Sequence, residues 1–381
     1  MGTGAGGANA EGVERVAGRW GGSLVDGVAR RMRAVVCHGP EDYRLEEVDV
    51  PAVGPREVLL RVEAVGICAS DAKCFSGAPL FWGDADRPAY CQAPVVAGHE
   101  FVGVVAAVGD EVRDVALGDR LVSEQIVPCW QCRYCRRGEY WMCQDNAIYG
   151  FRQRTPGAMA AYVRLPQGQI HHRVPAGLSA AAGAFVEPLA CSVHAVDRAD
   201  IRLGDVVVVA GCGPLGLGMI AAARLRGPGR LIALDTRPAR LEVARACGAD
   251  LAWNPQECDV FAEVAALTDG YGCDVYLEAS GHPSAVGQGL RLLRKLGTFV
   301  EFSVMRQPVT VDWTIIGDSK ELNIRGSHLG PYCYPTAIAL LQDGRLPLER
   351  IVTHQLPLER FHEGMELVLR GEESIKVQLI P

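Results

Sequence analysis

An excess of positive charge is missing from this chain. Its 381 residues carry 38 Lys and Arg against 45 Asp and Glu, a formal net charge of -7, with no dense basic block. That balance argues against a nucleic-acid or membrane-surface partner. The first thirty-one residues hold scattered charges and many glycines but no apolar core of a secretory signal, so they read as a disordered N-terminal extension of a cytoplasmic protein. Long hydrophobic runs are scarce too. The one uncharged stretch long enough to suggest a membrane span, Val206 to Ala223, is interrupted by Gly211, Gly213, Pro214, Gly216 and Gly218, and reads better as a buried strand, a tight turn and a packed helix. Fourteen cysteines among 381 residues are too dilute for a disulfide scaffold. With 49% hydrophobic and 22% charged residues, the composition is that of a folded chain long enough for two domains.

Four of those cysteines fall within fifteen residues, as Cys129-x2-Cys132-x2-Cys135-x7-Cys143. Four thiolates so spaced can close a tetrahedron around zinc with no position left for substrate, and the role expected is structural, a staple for a polar lobe over residues 124–146. An iron-sulfur cluster shares the ligand chemistry, although the last gap is longer than in the common short ferredoxin run.

A second polar constellation sits between apolar runs. Gly98-His99-Glu100 follows Ala93 to Ala97 and precedes Phe101 to Val108, where burying an imidazole beside a carboxylate is costly without a partner or a metal. Cys68 could add a thiolate, giving a mixed set suited to zinc with an open position. A satisfied core histidine beside a surface glutamate is the plainer alternative. Glu187 is another carboxylate in apolar company, either part of this site or a helix cap. The loop before the pair, residues 75–94, carries Phe81 and Trp82 and reads as a surface excursion or a pocket wall.

Beyond residue 188 the pattern changes to alternating strands and helices. Val206 to Ala210 is a continuous apolar run of the kind found in central parallel strands, followed by Gly211-Cys212-Gly213-Pro214-Leu215-Gly216 and a helix. The next strand ends at Asp235, twenty-four residues beyond Gly211. Strand, glycine turn, helix, strand and acid together form a dinucleotide fingerprint, with the pyrophosphate at the helix N-terminus and the acid on ribose hydroxyls. Asp235 would repel a 2′-phosphate, which favours NAD over NADP. Arg240 either meets the adenine edge or is solvated. Ser280, Phe302 and Ser303 end later strands, where nicotinamide contacts are expected. His328 and Tyr332 lie in a loop that either lines the interdomain cleft or simply packs.

These motifs and their order resemble the zinc-dependent medium-chain alcohol and polyol dehydrogenases over residues 32–381. Phe81-Trp82-Gly83-Asp84, Ile148-Tyr149-Gly150-Phe151 and the run from Gly326 to Pro335 resemble the erythritol/threitol branch. The resemblance implies an α/β protein: a GroES-like β-rich catalytic domain (32–188 and 328–381) and a Rossmann doubly wound parallel sheet that binds NAD (189–327). It implies a catalytic zinc at Cys68, His99 and Glu100 and a structural zinc at the four-cysteine lobe. Glu187 would hold a zinc-bound water or exchange as a ligand, and Ser70 would relay a proton. Phe81, Trp82, Tyr149, His328 and Tyr332 would approach a small polyol. Leu329 stands where sorbitol dehydrogenases carry an arginine, which argues against sorbitol itself and for a shorter or differently held polyol. Hydride would pass to nicotinamide, with zinc acting as Lewis acid. Two anionic ligands, Cys68 and Glu100, are expected to cancel most of the metal charge. The family implies a homo-oligomer, dimer or tetramer. Other substrates of the same chemistry (xylitol, ribitol, a butanediol) remain open, and a zinc hydrolase or a non-catalytic relative would leave the glycine-turn unit or the open metal set idle.

Overall fold

The computed structural model describes residues 22–24, 28–305 and 307–381. Most of the expected disordered extension lies outside these residues, but the described Gly22–Leu24 is a strand that pairs with Gly109 to Ala107.

Short strands, the central ones buried along most of their length, build the first unit. An eight-stranded sheet has the central path His171–Arg173, Arg120–Ser123, Glu100–Gly109, Val58–Ile67, Lys376–Ile380 and Val352–Pro357. Alternate residues of its strands, among them Leu60, Val62, Val65, Phe101, Val105 and Leu121, fill one apolar interior with Val377 and Leu379 from the chain's last strand. Residues more than 300 positions apart therefore close one core: Val377 pairs with Ile67 and Leu379 with Val65.

The second unit is a six-stranded parallel sheet in the order Leu251–Trp253, Arg230–Leu234, Val206–Ala210, Cys273–Glu278, Leu293–Glu301, Asn323–Gly326. Val206–Ala210 is covered on both faces. Val207 and Val209 pack on one side with Leu217 and Ile220, and Val208 and Ala210 on the other with Ile232 and Val264, which is why the run is apolar without alternation. Strand order reverses on either side of Val206–Ala210, the crevice where open α/β sheets take ligands.

One helix joins the two units. Ala180–Ala199 starts at Ser179, whose Oγ accepts from Ala182 N at 3.1 Å. It is apolar nearly all round because it is buried between Ala64, Val102 and Val122 of the first sheet and Leu217 and Ile220 of the second unit. The boundary expected at residue 188 thus falls inside a continuous helix. Contact is close at Gly183, where an added Cβ would stand 2.7 to 2.9 Å from the Val102 side chain. Gly183→Val should lower stability by about 1–3 kcal/mol through overpacking, read as a shift of the denaturation midpoint with zinc content unchanged.

Candidate active site

Cys68 precedes the short helix Ala69–Phe75 and serves as its N-cap, with its backbone N–H donating to Asp71 Oδ2 at 2.8 Å. His99 immediately precedes the strand Glu100–Gly109, which Glu100 opens, and Glu100 stands opposite Gly66 in the next strand. The Cys68 sulfur, a His99 ring nitrogen and a Glu100 oxygen lie within 4.8 Å of one another. His99 is buried. Among the described residues its Nδ1 makes no hydrogen bond, although Asp71 Oδ1 lies 3.4 Å away, and its Nε2 is 3.4 Å from Ser70 Oγ.

The surroundings favour positive charge. Burial opposes protonation of His99, but Asp71 and Cys68 outweigh it and hold the imidazole well above its ordinary pKa. Lys376 shows the same balance, with burial outweighed by Glu100 and Cys68. Lys376 Nζ donates to Glu100 Oε2 and, at 3.1 Å, to the Ile67 carbonyl. Gly66 makes this contact possible: a Cβ there would fall 2.0 Å from Glu100 Oε2 and 2.8 Å from Lys376 Cε. A thiol, an imidazole and a carboxylate converging in a buried, electronegative spot fit a zinc ion with a position left open. Because Lys376 neutralises Glu100, the expectation that two anionic ligands nearly cancel the metal charge is corrected. The lysine lies on the last strand, 276 positions from Glu100, and its only sequence signal was a lone Lys opening the strand-like segment Val377-Gln378-Leu379-Ile380.

Glu187 sits one helix turn before Cys191 in Ala180–Ala199, buried and not at a helix end, so the capping alternative falls away. Burial, with Glu100 adding to it, pushes its pKa up to about 7. Its Oε1 accepts from Gln125 Nε2 and from Cys191 Sγ.

The aromatic candidates divide. Phe81 is buried with its ring 5.0 Å from Phe151, which stands 5.4 Å from the His99 ring, and Trp82 Nε1 donates to the Cys74 carbonyl at 2.7 Å. The wall against His99 is thus Phe151, backed by Phe81. Tyr149 is a correction: it is fully buried, edge-on to Phe101, and its hydroxyl meets no partner among the described residues, because its side chain fills the sheet core rather than the cleft. Tyr332 is another. It is 65% exposed and donates to the Gly138 carbonyl at 2.7 Å, since its ring docks on Tyr140 and Trp141 of the cysteine lobe. The Leu329 side chain packs against the same lobe, and its carbonyl accepts from His194 Nδ1 at 3.0 Å. His328 is exposed near His194.

In the lobe, the four sulfurs of Cys129, Cys132, Cys135 and Cys143 lie within 4.8 Å of one another. Backbone N–H groups of Cys129, Cys132 and Gln144 point at sulfur at 3.3 to 3.5 Å, and hydrogen bonds from the backbone at Cys135 and Gln144 lower the Cys132 thiol to about 6. Donors aimed at sulfur favour thiolates, so the set fits a closed structural zinc.

At the dinucleotide turn, Gly211 has φ +99° and a Cβ on it would meet Ala279 and Ser280 at 2.8 Å; on Gly216 it would strike the Gly211 carbonyl at 1.8 Å. Gly213 precedes the helix Pro214–Arg224, and Leu215 packs beside its buried face. Asp235 Oδ2 accepts from Cys212 N at 2.7 Å, which sets the acid beside the turn. Arg240 is neither solvated nor free: it donates to the Gly371 and Ser374 carbonyls at 3.0 Å, bridging to the segment that leads into the last strand. Ser280 Oγ donates to Glu278 at 2.5 Å, Ser303 Oγ to the Glu278 carbonyl at 3.5 Å, and Phe302 packs on the interdomain core.

Residues 54–176 match the family described as alcohol dehydrogenase GroES-like domain, and residues 214–343 match zinc-binding dehydrogenase. The chain belongs to the zinc-binding dehydrogenases. It is 57% identical over 357 residues to an erythritol/L-threitol dehydrogenase of Mycolicibacterium smegmatis, covering 93% of this chain and 99% of that one. A sorbitol dehydrogenase of Halalkalibacterium halodurans is 35% identical over 92% of this chain and 99% of its own length. Among solved structures, the 2R,3R-butanediol dehydrogenase of Bacillus subtilis superposes with a TM-score of 0.82 at 29% identity, over 92% of this chain and 99% of that one. Among the described residues no helix is long and apolar enough to cross a membrane.

In this dehydrogenase Gly66→Ala should separate Glu100 from Lys376. Zinc measured by elemental analysis should then fall from about two ions per chain to about one, with the lobe ion retained. Cys129→Ser should instead release the lobe ion and lower the melting temperature.

Proposed function

We propose that the protein oxidises a secondary hydroxyl of a short polyol, a tetritol such as erythritol or L-threitol, to the ketose while reducing NAD. The observation that carries this reading is the three-donor set of Cys68, His99 and Glu100 with Ser70 Oγ beside the imidazole, in a chain that also holds the glycine turn and Asp235. The identity with the Mycolicibacterium smegmatis relative along nearly its whole length supports the tetritol. Residues 32–188 and 328–381 form the catalytic unit in this reading, and 189–327 the NAD-binding unit.

Cys68, His99 and Glu100 hold the catalytic zinc, and Cys129, Cys132, Cys135 and Cys143 the structural one. When bound, the catalytic ion supplies Lewis acidity that eases deprotonation of a hydroxyl. Ser70 takes that proton and passes it outward; Phe151 and Phe81 keep bulk water from the imidazole side. Lys376 balances Glu100, so that the site keeps net positive charge for the developing alkoxide once loaded. The N–H groups at the start of Pro214–Arg224 receive the pyrophosphate, and Asp235 receives the ribose hydroxyls and disfavours a 2′-phosphate. Ser280, Phe302 and Ser303 line the nicotinamide end, and Arg240 closes over the adenosine end. The reaction balances as secondary alcohol plus NAD⁺ giving ketone, NADH and a proton. Trp82 and His328 remain substrate-side candidates, while Leu329 leaves the late loop without the cation that a longer polyol could use. A homo-oligomer in the cytoplasm completes the reading, its size open to light scattering.

A screen of NAD and NADP reduction over erythritol, both threitols, xylitol, ribitol, sorbitol and 2,3-butanediol tests this. The expected result is highest kcat/KM for a tetritol with NAD and a ketose product; turnover of no polyol would overturn it. Ser70→Ala should lower kcat by about 10²- to 10³-fold while both zinc ions stay bound.

A further inference from the structure

Glu187 is held from one side. Oε1 accepts from Gln125 Nε2 and from Cys191 Sγ, whereas Oε2 accepts no hydrogen bond among the described residues. The Gln125 amide has a fixed sense, because Tyr334 OH donates to its Oε1 at 2.8 Å and Nε2 is left to face Glu187 and, at 3.3 Å, Cys191 Sγ. Turning the amide over would press its oxygen against the Glu187 carboxyl, a costly contact where both residues are buried. Tyr334 is anchored in turn. Its ring stacks on His172 with centroids 5.0 Å apart, and His172 Nε2 lies 3.2 Å from Glu124, which also accepts from Tyr140 OH at 2.9 Å in the cysteine lobe. Gln125 and Glu124 are adjacent in the chain at the root of that lobe, just before the strand Ile126–Val127.

We propose that Gln125, oriented by Tyr334, is a positioning residue for the reaction. By occupying Oε1 it holds the Glu187 side chain back against its own helix and leaves Oε2 alone for the Cys68–His99–Glu100 side. Glu187 then acts as a one-oxygen acceptor, able to hold a water beside the metal without becoming a standing ligand. The cysteine lobe acquires a second consequence: through Glu124, His172 and Tyr334 it fixes the amide that fixes Glu187. This rests on the zinc-dependent reading above, and deepens it.

The test uses the holoenzyme with cobalt(II) replacing the catalytic zinc, together with Gln125→Leu and Tyr334→Phe. Gln125→Leu should reduce kcat by about 10- to 100-fold with KM for NAD little changed, and should shift the visible absorption of the cobalt enzyme as Glu187 enters coordination. Tyr334→Phe should move both readouts the same way by a smaller amount, and it carries the test if Gln125→Leu does not fold. In a Glu187→Ala background Gln125→Leu should add nothing further. An unchanged cobalt spectrum in both variants, or a full additive loss in the Glu187→Ala background, would overturn the proposal. Should the wild type oxidise no polyol, the polyol reading fails while the cobalt spectra still decide the role of Gln125.

Discussion

The ion pair between Glu100 and Lys376 is the contact on which the site depends. Both side chains are at most 3% exposed, and each would be expensive to bury alone. Three neighbouring strands bring them together: Glu100 lies opposite Gly66 on one side, and Lys376 comes from the strand on the other. The missing side chain at Gly66 is the passage through which they meet. The last strand of the chain is therefore an electrostatic component of the metal centre as well as an apolar component of the first sheet's core.

The long buried helix performs a comparable double duty. Its apolar circumference joins the two sheets, and the same helix carries Glu187 and Cys191 toward the metal cleft. Pro188 removes one backbone donor next to Glu187, and Ser192 Oγ donates to the Pro188 carbonyl at 2.9 Å. Placing a carboxyl in a helix buried along most of its length raises its pKa and limits its movement, so its position is set by the few polar groups that reach it.

Local chemistry made much of the architecture legible beforehand. The cysteine spacing, the glycine turn with its distant acid, and the apolar run of a doubly covered strand each encode structure over a few residues, and each was found where expected. The aromatic residues were harder. Phe81, Tyr149 and Tyr332 look equivalent as candidates for a pocket, yet one backs the wall, one fills the sheet core and one caps the lobe. Direction of a side chain from a loop is decided by what the rest of the fold leaves open, and nothing within a few residues announces it.

The sequence by itself determined the two folding units, both thiol-containing donor sets and the dinucleotide turn, because these depend on short-range spacing and periodicity. Only the tertiary structure decided which charges compensate one another. Lys376 beside Glu100, Gln125 against Glu187, Tyr334 against Gln125 and Arg240 on the Gly371 and Ser374 carbonyls all join positions more than sixty residues apart. A buried charge or amide must find its partner wherever the fold brings one, and that requirement sets no spacing along the chain.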